Sequence, residues 1–263
     1  MSQTQVLSPY RIKKIPNQPA IAYLEAGPAN GPVILFLHGL GDSALIWSQS
    51  VAALQTDYRC IAIDLPGHGN SSADAFNYKM YAYADAVAAF IKSLNLRSFS
   101  LVGHSMGGQI SIILSLRFPA LINKLALVAP AGFEQFTEYE KKMLKLGASF
   151  GNGWNLPGGQ QNTDAATRQL TLQKSMEGML SEPIYDFLPQ LTVPTLVIFG
   201  DQDAFIPNRY LHHTQTSAAI AREGASLIPE AELQLFNRCS HYPQTEHPEL
   251  FVNSIVEFLK KGL

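Results

Sequence analysis

The sequence predicts an α/β protein: a mostly parallel sheet covered by helices on both faces, broken by one helical insertion. Three observations carry this. Short apolar runs alternate with stretches of helical period over most of the 263 residues, the pattern of repeated β–α units. Some runs are continuously apolar, as in Val33-Ile34-Leu35-Phe36-Leu37, which is how a strand buried on both faces reads. The alternation stops between about 132 and 190, where the pattern is mainly helical, and resumes at Val193.

In chain order, Ala20-Ile21-Ala22-Tyr23-Leu24 reads as a strand, then 33–37, then Cys60-Ile61-Ala62-Ile63. Met80, Tyr83, Ala84, Val87, Ala88, Ile91 and Leu94 recur at intervals of three and four, one face of a helix. Phe99-Ser100-Leu101-Val102 reads as a strand that enters Gly103-His104-Ser105-Met106-Gly107-Gly108. A helix over 106–117 leaves that stretch and stops before Pro119. Further strands are predicted at 125–129, 193–199 and 232–236. The last helix carries Phe251, Val252, Ile255, Val256 and Leu259 on one side. It starts near Pro248 and stops at Gly262, the expected asymmetry of helix ends.

The insertion divides the chain into a first core part, 1–131, a helical cap, 132–190, and a second core part, 191–263. The cap holds Gly147, Gly151, Gly153, Gly158 and Gly159, which suit a loop that lets a lid open. Its Phe133, Phe136, Tyr139, Met143, Leu144, Leu146, Phe150 and Trp154 have two readings. They line an apolar pocket, or they pack the cap onto the body.

Composition narrows the function. The chain is 46% hydrophobic and 15% charged, with a formal net charge of −2. That is no electrostatic footprint for nucleic acid or an anionic membrane. Two cysteines, Cys60 and Cys239, do not make a disulfide framework. Cys60 sits in an apolar run and reads as a buried free thiol. No apolar stretch reaches the roughly 18 residues of a transmembrane helix. Met1 to Gln5 is polar and lacks a signal-peptide pattern, so the default expectation is a cytoplasmic protein. No His, Cys, Asp or Glu set has metal-ligand spacing, and no phosphate-binding glycine motif follows the first strand–helix unit. Neither a metal nor a cofactor is expected.

Ligands of open α/β sheets bind beyond the carboxyl ends of the strands, so the residues there are the candidates. His38-Gly39-Leu40-Gly41 follows 33–37, and Asp64-Leu65-Pro66-Gly67-His68-Gly69 follows 60–63. The serine stretch follows 99–102, Gly200-Asp201-Gln202-Asp203 follows 193–199, and Asn237-Arg238-Cys239-Ser240-His241 follows 232–236. A serine, an acid and a histidine thus stand at three strand ends, in that order. Gly103-x-Ser105-x-Gly107 is a nucleophile elbow, a sharp strand-to-helix turn that lifts the serine Oγ above the sheet. Met106 offers a free helix-N-terminal N–H toward a developing oxyanion. Leu40 is the expected source of the second.

A serine needs a base, and the base needs an acid to hold its tautomer. His241 lies straight after a strand, where a base is needed. His212 and His213 read as surface residues of a helical stretch, and His247 as a cap or packing residue. Spacing does not separate Asp203 from Asp201, whose other reading is a turn residue bonding its own backbone. His38 reads as a structural hydrogen-bonder of the oxyanion loop, and His104 as packing. Asp64 and His68 read as shaping a loop at the rim.

These motifs resemble the α/β-hydrolase superfamily with a helical cap, over nearly the whole chain. The carriers are Leu37-His38-Gly39-Leu40-Gly41, Asp64-Leu65-Pro66-Gly67-His68-Gly69-Asn70-Ser71, Gly103-His104-Ser105-Met106-Gly107-Gly108, Gly200-Asp201-Gln202-Asp203 with Pro207, and Ser240-His241 with Glu246-His247-Pro248. The resemblance implies the α/β-hydrolase fold, Ser105 as nucleophile, His241 as base and Asp203 as its orienter. It implies the N–H groups of Leu40 and Met106 as the oxyanion hole. Serine at the elbow excludes the branch with aspartate there, the haloalkane dehalogenases and epoxide hydrolases. Hydrolysis of a small, apolar carboxylic ester is the broadest fit. Relatives that hydrolyse carbon–carbon bonds usually carry Asn before the nucleophile and Trp after the base, where this chain has His104 and Tyr242. Thioesterases, lactonases, lyases and perhydrolases share the motifs. A receptor or scaffold would show decay of one triad member, and all three are present.

Overall fold

Strand runs in this chain are apolar at consecutive positions because the sheet they form is covered on both sides. The computed structural model describes residues 10–150 (147–150 by backbone alone), 165–208 and 211–261. Its strands are β1 Arg11–Lys13, β2 Ile21–Ala26, β3 Val33–Leu37, β4 Arg59–Ile63, β5 Phe99–His104, β6 Ile122–Val128, β7 Thr195–Gly200 and β8 Glu232–Phe236. They form one sheet in the order β1-β2-β4-β3-β5-β6-β7-β8. The pairings of β2 with β1 and with β4 are antiparallel; the rest are parallel. Helices are α1 Ser48–Leu54, α2 Met80–Ser93, α3 Met106–Arg117, α4 Glu138–Phe150, α5 Ala165–Ser181, α6 Ser217–Leu227, α7 Pro243–Glu246 and α8 Pro248–Lys260.

Alternate residues of each strand face opposite sides, and two apolar layers result. Leu35, Leu37, Ile61, Ile63, Leu101, Leu125, Val197 and Phe199 pack with α2, α3 and α6. Ile34, Phe36, Cys60, Ala62, Val102, Ala126, Leu196 and Ile198 pack with α1 and α8. Met80, Tyr83, Ala84, Val87 and Ile91 form the buried face of α2 as their spacing predicts. Cys60 and Cys239 are buried free thiols.

The sequence pattern missed β1, α1, α6 and the short α7. The stretch at His212 is turn and coil, and helix begins only at Ser217. Thr216 caps α6 by accepting the Ala219 N–H at 3.2 Å.

Helices α4 and α5 lie between β6 and β7 in the chain, and α5 is bound to α2 and α3. Tyr83 Oη and Ser175 Oγ are 2.8 Å apart. The Gln109 amide donates to the carbonyls of Met179 at 3.2 Å and Glu182 at 2.8 Å. Phe133 is buried against Phe199, with ring centroids 6.0 Å apart, and so packs on the body. Tyr139, Met143 and Leu146 are exposed. Gly151, Gly153, Gly158, Gly159, Trp154 and the Phe150 side chain lie outside the described residues.

The close approach of α3 to the sheet rests on small residues. A Cβ on Gly107 would lie 2.5 Å from the carbonyl oxygens of Leu37 and His38, both backbone atoms. Gly107→Ala is therefore expected to destabilise the protein by about 1–3 kcal/mol or more, read as a lower urea midpoint. An unchanged midpoint would refute this packing.

Candidate active site

β3 and β5 pair in register, with Leu37 opposite Gly103. From β3 the chain goes to β4 on one side and returns to β5 on the other. Their following loops diverge and leave a crevice, as at other such switch points in α/β sheets. Ser105 stands in it with φ 53° and ψ −117°, a conformation rare for a residue with a side chain. Holding it costs about 1–3 kcal/mol. Burial of one apolar side chain of the size of Leu101 or Ile110, both fully buried, contributes about as much, so the core carries the strain. The Ser105 carbonyl accepts from the N–H groups of Gly108 (2.9 Å), Gln109 (3.2 Å) and Ala131 (3.0 Å). Met106 opens α3 directly after it.

Asp203 and His241 come together from the loops after β7 and β8. His241 Nδ1 is 2.7 Å from Asp203 Oδ2. The other carboxyl oxygen accepts the N–H groups of Phe205 at 2.8 Å and Ile206 at 3.0 Å. Nδ1 must then carry the proton, which leaves the Nε2 lone pair free. Ser105, His241, His104 and Leu40 line one cavity of about 380 Å³, with Phe136, Leu144 and Met176 from the segment between β6 and β7. Asp203 is buried behind His241. Asp201 is exposed and accepts the Cys239 N–H at 3.3 Å. It bonds the neighbouring loop rather than its own turn.

The other histidines have structural partners. His38 Nδ1–H donates to the Gly39 carbonyl at 2.7 Å, and Nε2 accepts the Leu65 N–H at 2.9 Å. A trans peptide directs its N–H opposite to its C=O, so this bond orients the Leu40 N–H. Burial holds His38 well below the usual imidazole range, with a further push from His68. His104 Nε2 donates to the His241 carbonyl at 2.8 Å. It too is held low, by burial first and by His241 second. His104 thus supports the backbone of the candidate base.

Asp64 and His68 are fully buried, so they are scaffold and not rim. Asp64 accepts the N–H groups of Ala44 at 2.7 Å and Asn70 at 2.8 Å, tying the loops after β3 and β4 together. His247 offers α8 no side-chain cap; its ring packs on Phe236 at 6.2 Å. His213 is exposed. His212 is not a surface residue of a helix. It bridges Glu134 and Glu140, the latter at 2.9 Å.

The family model described as alpha/beta hydrolase fold matches residues 32–171. The chain belongs to the α/β-hydrolase family. It is 28% identical to 2-hydroxy-6-oxo-6-(2'-aminophenyl)hexa-2,4-dienoic acid hydrolase of Metapseudomonas resinovorans, over 91% of this chain and 87% of that one. Among solved structures, a thermophilic esterase from Thermogutta terrifontis superposes with a TM-score of 0.80 at 23% identity, covering 97% and 99% of the two chains. The enol-lactonase from Burkholderia xenovorans gives 0.77 at 21% identity, covering 95% and 100%. The protein is thus a hydrolase of this family, with the family's mostly parallel eight-stranded sheet.

Three cavity-lining acids of this α/β-hydrolase, Asp42, Glu134 and Asp186, escaped sequence reasoning, because nothing in their local pattern marks them. Glu134 is buried and accepts the Asn208 N–H with both oxygens, at 2.9 and 3.0 Å. Burial lifts its carboxyl to about 7. Asp42, two residues beyond Leu40, is buried, and its carboxyl oxygens have no hydrogen-bond partner among the described residues. Among the described residues, no group of three or more His, Cys, Asp or Glu could hold a metal ion. No described helix is long and apolar enough to cross a membrane.

Burial raises the Asp42 carboxyl from 3.8 to about 8. Its folded value lies above its unfolded one, so folding favours the protonated acid. The penalty is absent below about pH 4, grows between about 4 and 8, and is flat above. Asp42→Asn removes the titration. Its gain in stability over wild type should widen by a few kcal/mol, in order of magnitude, between pH 5 and pH 8.5. Urea unfolding at the two pH values measures this. An equal difference at both would show that Asp42 does not titrate on folding.

Proposed function

We propose that this α/β-hydrolase is a serine hydrolase that cleaves a small carboxylic ester through an acyl-enzyme intermediate. The observation that carries the reading is the Asp203–His241 hydrogen bond of 2.7 Å beside the strained Ser105 turn, with Ser105 and His241 on one cavity. In this reading Ser105 Oγ attacks the ester carbonyl while His241 Nε2 takes its proton. Asp203 holds the Nδ1–H tautomer and stabilises the imidazolium that forms. The N–H groups of Leu40 and Met106 receive the tetrahedral oxyanion, and each such donor is worth about 10²–10³ in rate. His241 then protonates the departing alcohol. Water repeats the sequence on the acyl-enzyme.

The helices of 132–190 act as a cap between the core parts 1–131 and 191–263. Phe136, Leu144 and Met176 on the cavity wall support an apolar substrate. A second reading, hydrolysis of a carbon–carbon bond, is favoured by the 28% identical dienoic acid hydrolase. His104 and Tyr242, where such relatives usually carry Asn and Trp, favour the ester.

A p-nitrophenyl ester series from acetate to palmitate tests the proposal. Ser105→Ala is expected to lower kcat by on the order of 10⁴-fold or more with an unchanged circular dichroism spectrum. Turnover that survives this substitution would remove Ser105 from the mechanism. Asp203→Asn should cost about 10⁴-fold, since an amide no longer selects the working tautomer. Asp201→Asn should stay within about tenfold, because that residue only accepts a loop N–H. The reverse ranking would transfer the orienting role.

A further inference from the structure

One side chain joins two walls of the candidate active-site cavity. Glu134, Phe136 and Leu144 line it from the segment after β6, and Phe205, Ile206 and Asn208 line it from the loop after β7. His212, farther along that loop, reaches across to the first wall. Its Nδ1 meets Glu134 Oε1, and its Nε2 lies 2.9 Å from Glu140 Oε1. Its ring stacks on Phe136, with centroids 5.5 Å apart and planes inclined by 17°. One short segment, 134–140, thus grips the imidazole on both edges and one face. The far end of the grip is stiff. Glu140 Oε2 accepts the N–H and the hydroxyl of Thr137, each at 2.7 Å, and the Glu140 N–H donates to Thr137 Oγ1 at 3.3 Å. This is a capping box at the start of α4, so holding Glu140 holds the helix.

The protons in the contact can be counted. A neutral imidazole carries one N–H and one lone pair. It can donate to one carboxylate, and the other would face the lone pair. Both contacts together need one more proton, either on the ring as imidazolium or on Glu134 as an O–H that donates to Nδ1. Glu134 is 7% exposed. Burial raises its carboxyl to about 7, and Asp203 on the loop after β7 pushes the same way. Among the described residues, the charged groups at the ring are Glu134 from the segment after β6 and Glu140 from α4. Lys141, the next residue of α4, is paired with Glu138 at 2.7 Å.

We propose that His212 is a proton-dependent clasp on the candidate active-site cavity: while it binds Glu134 and Glu140 together it fixes the wall of residues 134–144, and its release widens the cavity to longer acyl chains. His212 is a positioning residue, since it acts through the wall and not on a reacting atom. The word acyl rests on the serine-hydrolase reading; the clasp itself does not. The sign follows from the proton count. Low pH keeps the extra proton and the closed wall. Rising pH removes it, parts one carboxylate from the ring, and loosens Phe136 and Leu144.

Hydrogen exchange read by mass spectrometry tests the clasp without turnover, at about pH 6 and about pH 9. Exchange times are scaled for the faster chemistry at the higher pH, and α5 is the internal reference. In wild type, peptides of 134–146 should lose about tenfold or more of their protection relative to α5 at the higher pH, the worth of one hydrogen bond to a charged group. His212→Ala should be poorly protected there at both pH values. Glu140→Gln should be protected at both, because its amide N–H can donate to a neutral ring while its oxygen still accepts from Thr137. Equal scaled protection in wild type at the two pH values overturns the clasp, even if His212→Ala fails to fold. So does a loss of the same size in Glu140→Gln, the result of a merely structural His212. The second measurement is the ratio of kcat/KM for p-nitrophenyl decanoate to that for p-nitrophenyl acetate, in which titrations common to both esters cancel. It should rise about threefold or more from the lower to the higher pH in wild type, and stay flat in Glu140→Gln. A flat ratio in a wild type whose exchange responds overturns the control of chain length. No turnover of either ester strikes the hydrolase reading alone, and the exchange result still decides the clasp.

Discussion

The turn at Ser105 is the constraint on which the site depends. A side chain at φ 53° persists only where its surroundings over-determine it. Three N–H groups, from Gly108, Gln109 and Ala131, converge on the Ser105 carbonyl, and the Ser105 N–H donates to Val128 at 3.0 Å. The backbone is therefore pinned from α3, from β6 and from the loop that leaves β6. The same constraint explains the glycines around it. α3 begins so close to the end of β3 that Gly107 meets two carbonyl oxygens, and a Cβ on Gly103 would lie 2.3 Å from Ser111 Oγ. The reward is geometric: the hydroxyl stands at the apex, with the first N–H of a helix beside it.

Four buried histidines surround this turn, and burial sorts their work. His38, His68 and His104 are held low by desolvation, so they remain neutral and each hydrogen bond selects one tautomer. His38 grips Gly39, His68 Nδ1–H donates to Pro66 at 3.1 Å, and His104 supports the His241 carbonyl. They are framework. His241 differs in that its Nδ1 is bound to a carboxylate while its ring borders the cavity. That difference is what the proposed mechanism uses when it makes His241 the base.

The acids divide in the same way. Asp203 is satisfied on both oxygens by two backbone N–H groups and an imidazole. Asp64 likewise meets two backbone N–H groups. Glu134 meets one N–H and a histidine, and ties the insertion at Glu140 to the loop beyond Asp203 through His212. The Asp42 carboxyl has no hydrogen-bond partner among the described residues.

Much was legible in the chain itself. The period of Met80 to Ile91 marked a helix, the apolar runs marked buried strands, and Ser105, Asp203 and His241 were found at strand ends. These features are local, or follow from one rule about parallel sheets. The short α1 and α6 were not legible, since their amphipathic signal spans few turns and tertiary packing supplies most of their stability. Spacing alone also left Asp201 and Asp203 equivalent. They are two residues apart, and only the loop conformation turns one outward to Cys239 and the other inward to His241. Asp42, Glu134 and His212 were invisible as a group because their partners, or lack of them, come from residues far away in sequence. Sequence by itself determined most of the strands, the glycine-flanked turn at Ser105 and the chain order of the candidate residues, because hydrophobic period and glycine spacing are written locally. Tertiary structure alone decided which acid meets the histidine and which is left unpaired in the cavity, because pairing and burial are properties of contacts between distant segments.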